Sequence, residues 1–144
     1  TLDGPLGGRA AIWRETVPIV KDFWVTGTGL GTYGQAMLEY QRTGTDRLFN
    51  HAHNEYLQLV AEGGVLLAVL AALAALCWIA LARRRIAADR SELVWVRLGA
   101  AAGVCGFALQ SVFEAALRMP ANALLLALLA ALVVHERHPD REPS

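Results

Sequence analysis

The chain has 144 residues, of which 55% are hydrophobic and 18% are charged, and its formal net charge is zero. This balance suits a membrane protein better than an ordinary soluble domain, and it gives no electrostatic indication of a nucleic-acid partner. Cys77 and Cys105 both fall inside apolar segments, which argues against a disulfide framework and against a thiolate metal site.

Polar residues dominate before Gly64 and apolar residues after it. We therefore expect residues 1–56 to lie outside the membrane, residues 57–136 to lie within it, and residues 137–144 to form a tail. The chain begins without an initiator Met and without a basic segment leading into an apolar one, so no signal peptide is visible. We expect it to be the C-terminal part of a longer protein.

The first predicted element is an amphipathic helix. Its apolar residues recur at helical spacing in one stripe, Trp13, Val17, Val20 and Trp24. Because Trp is favoured at membrane interfaces, this helix is expected to lie flat on the bilayer. At 100° per residue Arg9 falls within about 40° of Trp13 on the same stripe and is expected to point inward. The alternative is that Arg9 precedes the helix and contacts lipid headgroups.

A glycine-rich loop follows, with the sequence Thr-Gly-Thr-Gly-Leu-Gly-Thr-Tyr-Gly over 26–34. It formally matches a dinucleotide-binding fingerprint, but that fold needs a βαβ unit, for which the apolar spans leave no room. The amides of Gly29 and Gly31, with a helix starting at Gln35, are expected instead to be exposed and to receive an anion such as phosphate. A simple turn between two interfacial helices is the alternative.

The histidine motif, His-Ala-His-Asn-Glu-Tyr over 51–56, comes directly before the first long apolar run. If Asn50 or Asn54 begins a helix, helical counting separates two faces. One face carries His51, Asn54, Glu55, Gln58 and Glu62, and the other carries His53, Tyr56, Leu57 and Val60. His53 is thereby predicted to be the buried histidine.

A half-buried imidazole can act as a general base near neutral pH, or it can simply be satisfied by a backbone carbonyl. The two histidines of this motif, His51 and His53, also form His-x-His. Without a third ligand at a diagnostic spacing, we predict no metal site there.

Three apolar segments follow, predicted as transmembrane helices at about 60–82, 93–117 and 120–135. The loop 83–92 is rich in arginine, and short arginine-rich loops are held on the cytoplasmic side. The first transmembrane helix is therefore expected to run from outside to inside. Arg137 and Arg141 agree with a cytoplasmic tail over 137–144.

Polar residues also occur near the outer end of the second predicted span. Glu114 and Arg118 are four residues apart, and we favour a simple ion pair between them over a placement of Glu114 in the interior of the bundle. Asn122 is predicted to cap the third transmembrane helix.

In their order, these features resemble the O-antigen ligase and polymerase family of bacterial envelope enzymes. The resemblance is carried by Gly8-Arg9 with Trp13, Gly27-Thr-Gly-Leu-Gly-Thr-Tyr33, His53-Asn54-Glu-Tyr-Leu-Gln58 with Glu62-Gly-Gly64, and the turn Met119-Pro-Ala-Asn122. It covers nearly the whole chain, and the histidine motif is its most specific part. It implies an all-α membrane protein, in which a periplasmic helical loop precedes about three transmembrane helices, as part of a larger multispanning GT-C-like fold.

The resemblance also implies a metal-independent, inverting glycosyltransferase without a cofactor, in the bacterial inner membrane and with a periplasmic active face. Its donor would be a glycan linked to undecaprenyl pyrophosphate, and its acceptor a lipid A core, a glycan or a protein. His53 would deprotonate the acceptor hydroxyl, and Arg9 would hold the pyrophosphate. Asn54 would orient His53 or the acceptor unless it only caps the helix, and Glu62 would tune the site or anchor Arg9.

Complete members of that family have many more spans, so the chain is expected to hold only part of an active site. A function from another class stays open: a non-enzymatic membrane assembly or lipid-binding module, in which the histidine motif is only a helix cap.

Overall fold

The computed structural model describes residues 5–42 and 48–136, which form helices and short connections without a β-strand. The five α-helices are α1 (Pro5–Asp22), α2 (Tyr33–Tyr40), α3 (Glu55–Ala88), α4 (Val94–Gln110) and α5 (Pro120–Val134), with a short 3₁₀ helix at Ala116–Arg118 before α5. The predicted all-α class is confirmed over these residues. The predicted tail with Arg137 and Arg141 lies outside the described residues.

Helix α1 buries a face other than its apolar stripe. Its buried positions are Ala11, Ile12, Glu15, Thr16 and Ile19, whereas Val17 on the helix and Trp24 just after it, both in the stripe, are exposed. A stripe that faces lipid is exposed on the protein itself, so its location on the bilayer stays a prediction. Thr16 can be buried because its hydroxyl donates to the Ile12 carbonyl (2.8 Å) and is hydrogen-bonded to the Tyr33 hydroxyl (2.6 Å).

A small core joins α1, α2 and the segment that leads into α3. Its buried members are Ile12, Ile19, Tyr33, Met37, Ala52 and Ala61. Tyr33 is the largest fully buried side chain in this group, and its burial raises the pKa of the phenol to about 12. The N-terminal region is therefore held together by its own packing.

Helix α3 begins as predicted and then breaks. The side chain of Asn54 accepts a hydrogen bond from the Leu57 amide (2.9 Å) and so caps the helix. The helix is interrupted at Gly64, whose φ of 61° and ψ of −167° are not helical. A Cβ at Gly64 would lie 2.2 Å from the Val25 carbonyl oxygen, so glycine is required for the loop after α1 to lie against the helix.

Among the described residues, α3 is long and apolar enough to cross a membrane, and only 6% of its most apolar window is buried. The predicted span 60–82 falls inside it, but the helix continues to Ala88, through six residues of the predicted loop. The 24 residues after Gly64 cover about 36 Å at 1.5 Å per residue, enough for a hydrocarbon core. A membrane location is therefore plausible from this helix alone.

The two remaining apolar helices are shorter, at 17 and 15 residues. Helix α4 ends at Gln110 and is followed by a turn and the 3₁₀ helix, so the continuous span predicted over 93–117 is wrong in its last third. Helix α5 agrees with the predicted 120–135 to within one residue. The number of spans and the periplasmic location of the N-terminal region stay predictions.

Asn122 does not cap α5, contrary to prediction. The helix begins with Pro120 at its first turn, and the residue before it makes no side-chain cap. The side-chain amide of Asn122 instead donates through Nδ2 to the carbonyl of Ala116 (3.0 Å). This bond ties α5 to the 3₁₀ helix.

Candidate functional site

His53 occupies a strained backbone position immediately before α3. Its φ is 50°, which makes it the one non-glycine residue with positive φ in the described parts of the chain. The buried Ala52 beside it is bonded at both backbone groups: its carbonyl accepts from Trp13 Nε1 (2.9 Å), and its amide donates to Gln58 Oε1 (3.1 Å). Since Asn54 is fixed as the helix cap, both neighbours hold His53 in this conformation.

The predicted assignment of faces in α3 is wrong. His53 precedes the helix, so helical counting does not apply to it, and the face that α3 buries is the polar one with Gln58 and Glu62. Tyr56, predicted to be buried with His53, is exposed. The prediction assumed an apolar buried face. The side chain of His53 is nevertheless only 44% exposed, and His51 is exposed.

His53 and Arg9 converge on one carboxylate, Glu114. Arg9 Nη2 donates to Glu114 Oε1, across 105 residues of sequence. The other oxygen, Glu114 Oε2, lies 3.8 Å from His53 Nδ1, which is too long for a hydrogen bond. Nδ1 itself is shielded from solvent and has no hydrogen-bond partner. The 44% exposure of the ring therefore belongs to atoms other than Nδ1.

Arg9 lies inside α1, as the helical counting assumed, and not before the helix, which was the alternative. One prediction is corrected: Glu114 pairs with Arg9 instead of Arg118. The partner of Arg118 is Glu62, at 3.2 Å between Nη2 and Oε2. One of the two roles predicted for Glu62 was to anchor Arg9, and the structure does not show that contact.

Glu62 is a second carboxylate, only 4% exposed, and it collects four donors. Its Oε2 accepts from the Gly31 amide (3.1 Å) and from Arg118. Its Oε1 accepts from the Tyr33 amide (3.3 Å) and from Gln58 Nε2 (3.0 Å). A buried carboxylate is tolerated when its oxygens are satisfied in this way. Through these bonds Glu62, itself on α3, connects the glycine loop, the start of α2 and the 3₁₀ helix.

The amides of Gly29 and Gly31 are therefore not free. The Gly29 amide donates to the Glu62 carbonyl (2.9 Å), and the Gly31 amide donates to the Glu62 carboxylate. The prediction that these two amides are exposed is wrong, because Glu62 of the chain itself supplies both acceptors. The loop is a turn between α1 and α2, the alternative considered above, and it is fixed onto α3.

The sequence did not predict the contacts of three polar residues of the site, Gln58, Glu114 and Arg118. Glu114 and Arg118 were recognised as charges near the end of an apolar segment, but their partners lie in distant segments. Gln58 lies one turn before Glu62, and an amide four residues from a carboxylate on a helix is a local signal for the bond that forms. The ion pairs that Glu114 and Arg118 form have no such local signal.

An apolar cavity of about 260 Å³ lies beside the site, between α3, α4 and α5. Its lining includes Glu55, Ser111 and Leu117. Glu55 Oε1 accepts from the Leu117 amide (3.2 Å), which fixes the segment carrying Glu114 against the start of α3. Over the described residues, no group of three or more His, Cys, Asp or Glu side chains is arranged to hold a metal ion.

Comparison with known proteins gives one match. A family model described as O-antigen ligase matches residues 1–72, which is half of the 144 residues. The matched part includes Arg9, the glycine loop, His53 and Glu62, and it leaves out Glu114 and Arg118. No curated protein and no solved structure matches the chain.

Proposed function

The chain belongs to the O-antigen ligase family, and we propose that it supplies part of the active site of a glycosyltransferase acting on undecaprenyl-pyrophosphate-linked glycan. Family membership implies glycosyl transfer of the ligase or polymerase type at a bacterial membrane. In the proposal, His53 is the general base and Arg9 stabilises the pyrophosphate leaving group. The acceptor is a lipid A core, a growing glycan or a protein.

The observation that best supports this proposal is the meeting of Arg9 and His53 at Glu114. The two residues are brought together from α1 and from the segment before α3, and both side chains remain partly accessible. A base and a permanently charged group thus face the two oxygens of one carboxylate. Such a pair suits a reaction in which a proton leaves one reactant while negative charge develops on the other.

The reaction that we propose is a direct displacement. His53 accepts the proton of the acceptor hydroxyl, the hydroxyl oxygen forms a bond to the anomeric carbon, and the bond from that carbon to the phosphate oxygen breaks. The electron pair of the broken bond leaves with undecaprenyl pyrophosphate. Attack from the face opposite the leaving group inverts the anomeric carbon.

Each residue has a physical role in that step. A sugar hydroxyl is a poor nucleophile, and removal of its proton during attack by a positioned imidazole contributes about 10²- to 10⁴-fold in rate. A guanidinium carries a permanent charge and planar donors that match phosphate oxygens, so Arg9 can neutralise the developing charge. The proposed mechanism uses neither a metal ion nor an organic cofactor.

The position of the site along α3 supports a periplasmic active face. His53 and Glu62 lie at the N-terminal end of α3, whereas Arg83, Arg84 and Arg85 lie at its C-terminal end. Arginine-rich ends of membrane helices are held in the cytoplasm. We therefore propose that α3 crosses the inner membrane with the site on the outside.

One observation favours the second candidate function, a non-enzymatic membrane module. Asn54 caps α3 through the Leu57 amide, so that part of the histidine motif has a structural role of its own. Asn54 and Glu62, together with the glycines of the loop, are accordingly proposed to position the site rather than to bind substrate.

The two candidates separate in a complementation experiment with the full-length gene in a strain that lacks it, read out as surface polysaccharide. His53→Ala and Arg9→Ala are expected to reduce attached glycan at least 100-fold at equal protein abundance. Matched controls are His51→Ala, an exposed histidine two residues away, and Arg14→Ala, an exposed arginine on the same helix. Both controls are expected to behave as wild type.

Wild-type glycan levels from both His53→Ala and Arg9→Ala would favour the non-enzymatic module. The form of the loss distinguishes the acceptors. A polymerase defect removes long chains while single-repeat lipopolysaccharide persists, whereas a ligase defect removes every attached repeat.

A further inference from the structure

Arg9 is already occupied in this structure. Its guanidinium is paired with Glu114, so a pyrophosphate that binds Arg9 must compete with a carboxylate of the chain. Glu114 is 47% exposed, and within residues 5–42 and 48–136 its carboxylate pairs with Arg9 and lies 3.8 Å from Nδ1 of His53. The other charged groups nearby are engaged elsewhere: Glu55 with the Leu117 amide, and Arg118 with Glu62.

His53 lacks a partner that its ring requires. Nδ1 is shielded from solvent and makes no hydrogen bond, although Glu114 Oε2 lies 3.8 Å away. A charge-assisted bond between a ring nitrogen and a carboxylate oxygen needs about 2.8 Å, so a shift of about 1 Å in Glu114 would close it. The geometry is thus close to that of an imidazole hydrogen-bonded to an orienting carboxylate.

We propose that Glu114 is a positioning residue that exchanges partners during the reaction: bound pyrophosphate takes Arg9, and Glu114 then bonds to Nδ1 of His53. This inference rests on the proposed function. It adds a residue outside the region that the family model matches, and it gives an order to events at the site.

Charge balance favours the exchange in both states. Without donor, the Arg9 and Glu114 charges cancel each other. When the pyrophosphate arrives, its negative charge attracts Arg9 and repels Glu114. The carboxylate then finds a favourable partner in His53, which becomes positively charged as it accepts the proton of the acceptor hydroxyl.

The exchange also prepares the base. A carboxylate on Nδ1 holds the imidazole proton at that atom, which leaves the Nε2 lone pair to accept the proton from the acceptor. The same carboxylate stabilises the imidazolium that forms. His53 would thus become an effective base only after the donor has bound.

Steady-state kinetics of the full-length protein in lipid nanodiscs test this inference, with the lipid-linked donor varied at saturating acceptor. Glu114→Gln is expected to lower the donor KM several-fold, because Arg9 is released, and to lower kcat about 10- to 100-fold, because His53 loses its carboxylate. Inorganic pyrophosphate is expected to inhibit this variant at several-fold lower concentration than wild type. The acid limb of its kcat profile is expected to move to lower pH.

Glu39→Gln, an exposed carboxylate on α2, serves as the matched control and is expected to show wild-type kcat and KM. An unchanged kcat in Glu114→Gln, or a raised donor KM, would overturn the exchange. If Glu114→Gln fails to accumulate, Glu114→Asp decides the matter. Aspartate keeps the negative charge, so this variant is expected to lower kcat without raising the donor KM. An unchanged kcat together with a raised donor KM would overturn the inference.

His53→Ala is measured in the same series to separate the two levels of the argument. If it is inactive while Glu114→Gln behaves as wild type, the exchange is wrong and His53 remains the base. If it retains wild-type turnover, the proposed function and the exchange both fail.

Discussion

The region before Gly64 and the apolar region after it are stabilised in different ways. In the first, polar groups are buried and paired: Thr16, Gln58 and Glu62 are all less than 5% exposed, and each has a hydrogen-bond partner. In the second, most large side chains are exposed, and the buried core consists of Ala82, Ala100 and Val133. The first region therefore specifies its own packing, whereas the second needs an apolar environment to cover its surface.

The two carboxylates of the site show what this difference does for function. Glu62 is fixed by four donors from different segments, so it sets the geometry of the site. Glu114 is half exposed and rests on a single ion pair, so it can exchange partners. The site thus combines a fixed carboxylate with one that has a single ionic partner in the described residues.

The largest expected effect comes from removing the fixed carboxylate. Glu62→Ala leaves Arg118 and the amides of Gly31 and Tyr33 without their acceptor, and we expect a loss of about 3 kcal/mol in unfolding free energy. The measurement is thermal unfolding of the full-length protein in detergent. Glu39→Ala is the control, and equal melting temperatures for the two variants would contradict the assigned role of Glu62.

A direct comparison of the two regions comes next. Ile19, 0% exposed, lies in the core of the first region, while Leu70, 62% exposed, lies on α3 in the second. Ile19→Ala is expected to cost about 2–4 kcal/mol, and Leu70→Ala less than about 0.5 kcal/mol. The same unfolding assay measures both. A large effect at Leu70 would show that this surface of α3 packs against protein rather than lipid.

An effect smaller than those at Glu62 and Ile19 is expected at the buried Tyr33. Tyr33→Phe removes its hydrogen bond to Thr16 and is expected to cost about 1 kcal/mol at neutral pH. Burial raises the pKa of Tyr33 from 10.0 to about 12, so the folded state retains its proton more tightly than the unfolded state. The resulting stability is fully present below pH 10 and is lost as the pH rises toward 12.

Unfolding measured from pH 8 to pH 12 checks this sign. Wild type is expected to lose stability over the upper two pH units more steeply than Tyr33→Phe, which lacks the titrating group. Parallel pH profiles for the two proteins would indicate that Tyr33 is not buried in the folded state.

Several features were predictable because their signals are local. The cap at Asn54, the start of α5 near Pro120 and the apolar length of α3 all follow from residues within a few positions of each other. The sequence motifs with Arg9 and His53 likewise led to the family that the comparison with known proteins bears out. Hydropathy, caps and motifs act over short stretches, so they can be read without knowledge of the fold.

The buried faces were not predictable by the same reasoning. Counting apolar residues placed the wrong face of α3 inside and did not find the buried face of α1, because it treats a polar side chain as exposed by default. Thr16, Gln58 and Glu62 are buried since each finds a partner on another part of the chain. Whether such a partner exists depends on which segments meet.

By itself, therefore, the sequence determined the helical class, the apolar length of α3, the helix cap before it and the family. Only the tertiary structure decided two ion pairs, Arg9 with Glu114 and Glu62 with Arg118, and the hydrogen bond from the glycine loop to Glu62. Electrostatic pairing depends on distance in space, and the Arg9 and Glu114 side chains lie 105 residues apart in the sequence. Their contact exists only once α1 and the segment after α4 are packed around His53.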